Sequence, residues 1–217
     1  MTGKRAETLL EMMYFVERFT LRRAWDGLTD DELMWEPTDG TWSVRPVKDN
    51  RTATPFVTGP MEADFDADLA MAAGPGREPL TSMAWLFWHV GSMPGRAAEL
   101  DFFGGDHTAA SGWTSPYITA HPIFTTAEEA VTTMGDGWRA LKGALRSATD
   151  EQLERPTRFW GYGEPGPMGT GARITCSILN EVSHHGTQIG VLRDFYRLRV
   201  PADDAGPDAV ESAPRHP

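Results

Sequence analysis

Apolar residues recur at helical spacing in four segments of the chain, near residues 4–25, 80–102, 126–148 and 172–199. In each segment large apolar side chains return every three or four positions, which places them on one face of an α-helix. The stripe of the first segment consists of Leu9, Met12, Val16 and Phe19. The pattern predicts four long helices and no substantial sheet.

The third segment has the most regular stripe and its own start signal. Thr126, followed three residues later by Glu129, is the signature of a capping box at a helix N-terminus. The apolar positions after it alternate in spacing between four and three: Ala127, Val131, Met134, Trp138, Leu141 and Leu145. Because this alternation is typical of the seam between packed helices, we predict an all-α four-helix bundle.

Long irregular loops connect the predicted helices, at residues 37–79, 104–125 and 156–171. The first loop is too long for a simple connection, so we expect it to carry minor structure or to cover a site. Within the second helix, Pro94 removes a backbone donor and predicts a kink or break near residues 91–95.

The length of the chain, 217 residues, suits one domain, which we assign to residues 1–200. Residues 201–217 are rich in Pro, Asp and Ala and contain almost no large apolar side chains. A segment of this composition cannot bury enough apolar surface to fold, so we predict a disordered C-terminal tail.

Charge and composition exclude two classes of partner. The net charge of −11 argues against nucleic acid, which requires a surplus of Lys and Arg on some face. The sequence has no basic amphipathic stretch and no apolar run of about 18 residues, which argues against a membrane. The first thirty residues lack the layout of a signal peptide, and Cys176 is the only cysteine. We therefore expect a soluble, cytoplasmic protein.

Polar residues interrupt the predicted apolar seam of the fourth helix. The seam reads Ile174, Ile178, Glu181, His185, Gln188, Leu192 and Phe195. A carboxylate left without a partner in a core is costly, so Glu181 needs a neutralising group. Glu181 and His185 are four residues apart and share a helix face, which lets both bind one ion. An ordinary ion pair between the two residues is the alternative.

The third ligand is expected from the second helix, because the chain contains a faint internal repeat. The turn Thr29-Asp30-Asp31-Glu32-Leu33 after the first helix is similar to Thr149-Asp150-Glu151-Gln152-Leu153 after the third. The second and fourth helices are therefore equivalent, and the second offers His89. Alone, His89 would be interpreted as a core histidine; together the three residues favour a metal site of His89, Glu181 and His185.

Two imidazoles and one carboxylate form a three-ligand set, which leaves a coordination position for water or substrate. Zinc and nickel are the first candidates, since both accept these ligands. We expect Gln188 to orient a ligand, and His184 to lie outside the ligand set on the flank of the helix. The aromatic residues Trp35, Trp42 and Trp160 lie in the loops, where they either anchor the loops or shape a pocket.

Three stretches of the sequence resemble the DinB-like superfamily. They are GLTDDELMWEP at residues 27–37 with WSV at 42–44, MAWLFWHV at 83–90, and NEVSHH at 180–185. Specifically, the chain resembles the branch related to mycothiol-dependent maleylpyruvate isomerases and other thiol S-transferases. This resemblance implies a four-helix bundle whose metal is held by one histidine of the second helix, here His89, and by a pair on the fourth, here Glu181 and His185.

The resemblance also implies a metal-dependent transferase or isomerase that activates an exogenous low-molecular-weight thiol, such as mycothiol or bacillithiol, toward a small organic electrophile. Two alternatives stay open. The same ion could activate water in a hydrolase, or the protein could be a non-catalytic bundle that binds a metal and a ligand. A homodimer is compatible with each of these three functions.

Overall fold

The computed structural model of the protein describes residues 3–49, 52, 55–66, 79–99, 116–156 and 169–199. These residues form a mostly helical fold with one small antiparallel sheet. The predicted disordered tail at residues 201–217 and the predicted pocket residue Trp160 lie outside the described residues.

The first predicted helix spans the expected residues but is not uniform. Helix α1 (Lys4–Val16) continues directly into a π-helical turn (Glu17–Leu21) and then into α2 (Arg22–Trp25). Its core face consists of Ala6, Leu9, Met13, Val16, Leu21 and Ala24. The predicted stripe was wrong at Met12 and Phe19, which are exposed. The π turn adds one residue after Val16, so the next core residue is Leu21 rather than a residue four positions on.

Two short helices follow the first and third long helices, each with a threonine cap. Helix α3 (Asp30–Leu33) begins after Thr29, whose side chain accepts a hydrogen bond from the backbone N–H of Glu32. Helix α8 (Asp150–Glu154) begins with a full capping box of Thr149 and Gln152. The similar turns predicted from the sequence are therefore confirmed as helix starts.

The long first loop carries minor structure, one of the two expectations for it, in the form of a small sheet whose strands the sequence did not predict. Strands β1 (Val44–Pro46), β2 (Phe56–Thr58) and β3 (Met61–Ala63) are antiparallel in the order β1-β3-β2, with a 3₁₀ turn (Val47–Asp49) after β1. Arg45 of β1 lies opposite Glu62 of β3. Strands of three residues are too short to show a two-residue period, which is why the pattern of the sequence did not reveal them.

The second predicted helix is broken where Pro94 indicated. Helix α4 (Met83–Gly91) begins after Ser82, which caps it, and ends before Ser92; α5 (Met93–Glu99) follows at once. Pro94 lies in the first turn of α5, where a backbone N–H has no partner within the helix in any case. A further short helix, α6 (Pro116–Ala120), precedes the third long helix.

The third and fourth predicted helices are confirmed within one residue at each end. Helix α7 (Ala127–Ser147) has the predicted capping box of Thr126 and Glu129, and α9 spans Gly171–Arg199. The described helices include none with an apolar stretch long enough to cross a bilayer.

The long helices pack pairwise around a common core. Helix α1 contacts α7 and α9, and the α4–α5 segment contacts α7 and α9 from the other side. Apolar residues from all of them meet between the helices, among them Met13, Leu86, Met134, Trp138 and Val182. This arrangement places α4 beside α9, and these two helices carry the three predicted metal ligands.

Helices α5 and α7 approach so closely that a glycine is required at the contact. A Cβ added to Gly137 would lie 2.8 Å from the backbone nitrogen of Gly95. Neither backbone can move without shifting a whole helix, so Gly137→Ala should lower the free energy of unfolding by about 1–3 kcal/mol in a urea titration.

Gly143 on the same helix is the matched control. A Cβ at Gly143 would meet no atom within 4 Å. Gly143→Ala should therefore raise the free energy of unfolding by about 0.5–1 kcal/mol, because alanine has the higher helix propensity. If both substitutions shift the urea midpoint in the same direction, the close contact between α5 and α7 is not what Gly137 provides.

Candidate metal centre

Helix α9 turns the predicted face to the core at Ile174 and Ile178, but a different face after them. The buried positions after Ile178 are Leu179, Val182, Gly186, Ile189, Gly190 and Arg193. Glu181 and His185 lie at the border of this face, and Gln188 is exposed. The side chain of Glu181 is 38% exposed, so the sequence argument that it is a fully buried charge was wrong.

Three potential ligand side chains nevertheless meet at this border. The Nε2 atom of His185 lies 3.2 Å from Oε2 of Glu181, and Nε2 of His89 lies 3.7 Å from the same oxygen. One ligand atom from each residue lies within 4.8 Å of the other two. Ligand atoms that share an ion at about 2.0–2.2 Å are roughly 3–4 Å apart. The three side chains therefore fit one divalent ion with little movement.

Gln188 fixes the orientation of the His185 ring. The Oε1 atom of Gln188 lies 2.6 Å from Nδ1 of His185 and accepts a hydrogen bond from it. With its Nδ1 proton held in this way, the ring directs Nε2 toward Glu181. A metal-binding histidine is typically oriented by a hydrogen bond at its other nitrogen, and Gln188 lies in the place that we predicted for this role.

An aromatic stack holds His89 from the other side. The ring of Trp85, one turn earlier on α4, stacks on the imidazole at 4.8 Å between centroids. The indole nitrogen of Trp85 donates a hydrogen bond of 2.7 Å to the carbonyl oxygen of Asp64, just after β3. The small sheet thereby fixes Trp85, and Trp85 restricts the His89 ring, which meets the His185 ring edge-on at 5.0 Å.

The surroundings of Glu181 and His89 favour the protonation states in which these two residues bind metals. The hydrogen bond from His185, supported by His89, holds the pKa of the Glu181 carboxyl well below its usual range. Burial lowers the pKa of His89, and the neighbouring Glu181 carboxylate offsets this lowering only in part. At 3.7 Å the contact between His89 and Glu181 is too long for a strong hydrogen bond, so burial dominates. At neutral pH Glu181 is a carboxylate and His89 is uncharged, as ligation requires.

The other predicted site residues lie at different distances from the cluster. His184 is exposed, and its ring lies 4.6 Å from that of His185 without joining the three ligands. Trp42 is buried against Trp85 at 5.9 Å and so supports the aromatic stack from behind. Trp35 packs edge-on against Tyr196, about 16 Å along α9 from His185.

The sequence analysis missed a groove beside the cluster. This α9 groove has a volume of about 540 Å³ and is formed by the exposed flank of α9 with residues at and before the start of α4. Its lining residues are Leu80, Thr81, Leu86, Asn180, Ser183, His184, Thr187, Gln188, Val191, Leu192 and Phe195. Some of these lining residues, such as Val191 and Phe195, are visible in the sequence as apolar positions of the fourth helix. The sequence analysis, however, assigned Phe195 to the core.

The chain matches the family model of the DinB superfamily over residues 16–189. This range includes the whole of the aromatic stack and all three candidate ligands. Comparison with curated proteins and comparison with solved structures gave no significant match.

Proposed function

The chain belongs to the DinB superfamily, and from this premise we propose that it is a metal-dependent transferase or isomerase that activates a low-molecular-weight thiol toward a small organic electrophile. Members of the superfamily often bind divalent metals. The observation that carries the proposal is the meeting of His89, Glu181 and His185 at one point, with their ligand atoms within 4.8 Å of one another.

In this proposal the three side chains hold one divalent ion, zinc or nickel, since imidazole and carboxylate ligands suit both. When bound, the ion would supply a positive charge that keeps a thiol ionised at neutral pH. With three protein ligands, a coordination position remains for a group that is not part of the chain. The chain would thus offer a reactive position rather than a closed structural site.

The surrounding residues keep the ligands in place. Gln188 holds the proton on Nδ1 of His185 and so reserves Nε2 for the ion. Trp85 covers one face of His89 and excludes water from that side. Since Trp42 and Phe65 pack against each other and Trp42 against Trp85, the stack has little freedom to shift. Such preorganisation lowers the cost of assembling the site when the substrates bind.

The nucleophilic sulfur must come from a second molecule. Cys176 is the single cysteine of the chain, and it is exposed on α9, away from the ligand face. A thiol of low molecular weight, of the mycothiol or bacillithiol type, would supply the sulfur instead. This part of the proposal derives from the resemblance of residues 27–44, 83–90 and 180–185 to thiol S-transferases.

We also propose that the long helices form the four-helix bundle of the DinB type. The packing of α1, α7, the α4–α5 segment and α9 supports this proposal, because each contacts its two neighbours around the core. In this arrangement one ligand comes from the second helix of the bundle and two from the fourth.

A cobalt-substituted protein tests the proposed function directly. Mycothiol and bacillithiol are titrated in turn while the absorption spectrum is recorded. A sulfur-to-metal charge-transfer band should grow in the wild type and should be absent in His185→Ala. The Cys176→Ser variant is the control and should behave like the wild type, because its thiol is not the one that binds.

Each alternative gives a different result in the same experiment. The proposed function is wrong if neither thiol changes the spectrum and if the thiol reacts with small electrophiles no faster in the presence of the metal-loaded protein than in that of the metal-free protein. Product formation without any thiol would indicate a hydrolase. Tight binding of a ligand without turnover would indicate a binding module.

A further inference from the structure

Large apolar side chains line the α9 groove. Val191, Leu192 and Phe195 contribute from the last turns of α9, and Leu80 contributes from the segment before α4. Phe195 is 55% exposed, and Val191 and Leu80 are also exposed. A concave surface of this kind gains free energy when an apolar group covers it, since apolar area is removed from water.

The groove also offers hydrogen-bonding groups without charge. Asn180, Ser183 and Thr187 line it along the exposed flank of α9. Gln188 also lines the groove, and its side-chain oxygen accepts a hydrogen bond from His185. The groove therefore reaches the candidate metal centre at Gln188, whereas the apolar residues that α9 contributes lie one to two helical turns further along the helix.

Charge narrows the class of ligand. Among the described residues that line the groove there is no Lys, Arg, Asp or Glu. Away from the candidate metal centre, an anion would find no Lys or Arg among these lining residues and would be repelled by a chain of net charge −11. A cation would find no carboxylate among these lining residues, and burying an unpaired charge is costly. An uncharged ligand meets neither difficulty.

We propose that the α9 groove binds the electrophilic co-substrate, and that this co-substrate is an uncharged molecule with an apolar ring or chain and a hydrogen-bonding group. The apolar part lies against Val191 and Phe195, and the polar group faces Gln188 beside His185. The volume of about 540 Å³ is that of a small-molecule site. The role as co-substrate rests on the proposed function, while the binding of an uncharged ligand does not.

Two fluorescent probes with the same ring system test the inference. N-phenyl-1-naphthylamine is uncharged, and 8-anilino-1-naphthalenesulfonate adds one sulfonate. We expect the uncharged probe to bind once per chain and the sulfonate at least about 10-fold more weakly. Phe195→Ser should weaken the uncharged probe on the order of 10-fold, from the loss of apolar contact.

Leu198→Ser is the matched control, because Leu198 is on the same helix and 82% exposed but does not line the groove. It should change the binding of the uncharged probe by less than about 2-fold. Equal binding of the two probes, or equal effects of the two serine variants, would overturn the proposal. So would a dimer that separates in Phe195→Ser and binds the probe only as a monomer, because the groove would then be a subunit interface.

The same measurements separate this proposal from the proposed function. His185→Ala should keep probe binding within about 3-fold, because His185 does not line the groove. If the probe binds as expected and no thiol changes the cobalt spectrum, the groove is a binding site and the proposed function fails. If thiol-dependent conjugation occurs but Phe195→Ser changes neither probe affinity nor the KM for the electrophile, the groove proposal fails and the proposed function stands.

Discussion

His185→Ala should abolish stoichiometric metal binding, lowering the affinity for zinc or nickel by more than about 100-fold. Replacing a residue that only orients a ligand already costs about 10–100-fold in affinity, and His185 is a direct ligand in our proposal. Its Nε2 atom lies 3.2 Å from Glu181, in the place that an ion would share. Competition against a chromophoric chelator gives the affinity, and elemental analysis gives the expected stoichiometry of one ion per chain.

His184→Ala provides the control on the neighbouring residue. Its ring is exposed and lies outside the three ligands, so this variant should keep one ion per chain with an affinity within about 10-fold of the wild type. Excess zinc should raise the melting temperature of His184→Ala but not of His185→Ala, because only a bound ligand stabilises the folded state. Equal metal content in the two variants would mean that the cluster is an ordinary ion pair.

Arg193→Met should lower the free energy of unfolding by about 3–5 kcal/mol. The guanidinium donates two hydrogen bonds to the Glu32 carboxylate, at 2.8 and 3.0 Å, and both side chains are almost completely buried. It also donates to the carbonyl oxygens of Arg23 and Asp26 at the end of α2. The methionine variant leaves a buried carboxylate and two carbonyl groups without this partner. Urea titration followed by circular dichroism measures the loss.

Arg23→Met is the matched control for this substitution. Arg23 pairs with Asp194, but both side chains are more than half exposed, so the loss should stay below about 1 kcal/mol. Glu32→Leu combined with Arg193→Met should recover part of the stability, because an apolar pair replaces a buried carboxylate whose remaining partner, Arg197, lies 3.7 Å away. A loss in Arg193→Met no larger than that in Arg23→Met would show that the buried pair does not stabilise the fold.

The helices could be predicted because their signals are local and repeated. The seam of α7 continues through six apolar positions, and the Thr126 capping box marks its first residue. Pro94 indicated the break between α4 and α5 for a steric reason that does not depend on the rest of the fold. The three candidate ligands were found because polar residues interrupt an apolar stripe.

After Ile178, the face that α9 turns to the core could not be predicted from apolar periodicity. Two of its buried positions are Gly186 and Arg193, neither of which counts as apolar. Gly186 is buried against the first helix. A Cβ at this position would lie 2.7 Å from the side chain of Thr20, so the contact between α9 and the first helix needs a glycine. Arg193 is buried because Glu32, distant in sequence, accepts its hydrogen bonds. Both reasons are tertiary and become visible only in the structure.

The small sheet and the groove were missed for similar reasons. The three strands are stabilised by pairing with one another and not by a pattern within any strand. Aromatic contacts add to this pairing: Phe56 packs against Phe65 and Trp88, and Phe65 packs against Trp42. The α9 groove is lined by residues as far apart in sequence as Leu80 and Phe195, which are separated by 115 positions. A one-dimensional pattern contains neither relation.

The π-helical turn at Glu17–Leu21 divides the first helix into two segments whose residue numbering is out of phase. The core positions are spaced by three or four up to Val16, by five from Val16 to Leu21, and by three from Leu21 to Ala24. One residue is thus accommodated as a local widening of the helix, and both halves still present their apolar residues to the same core. An alignment to a relative with a uniform first helix would need a one-residue gap between Val16 and Leu21; without that gap, core residues of one protein would be paired with surface residues of the other along α2.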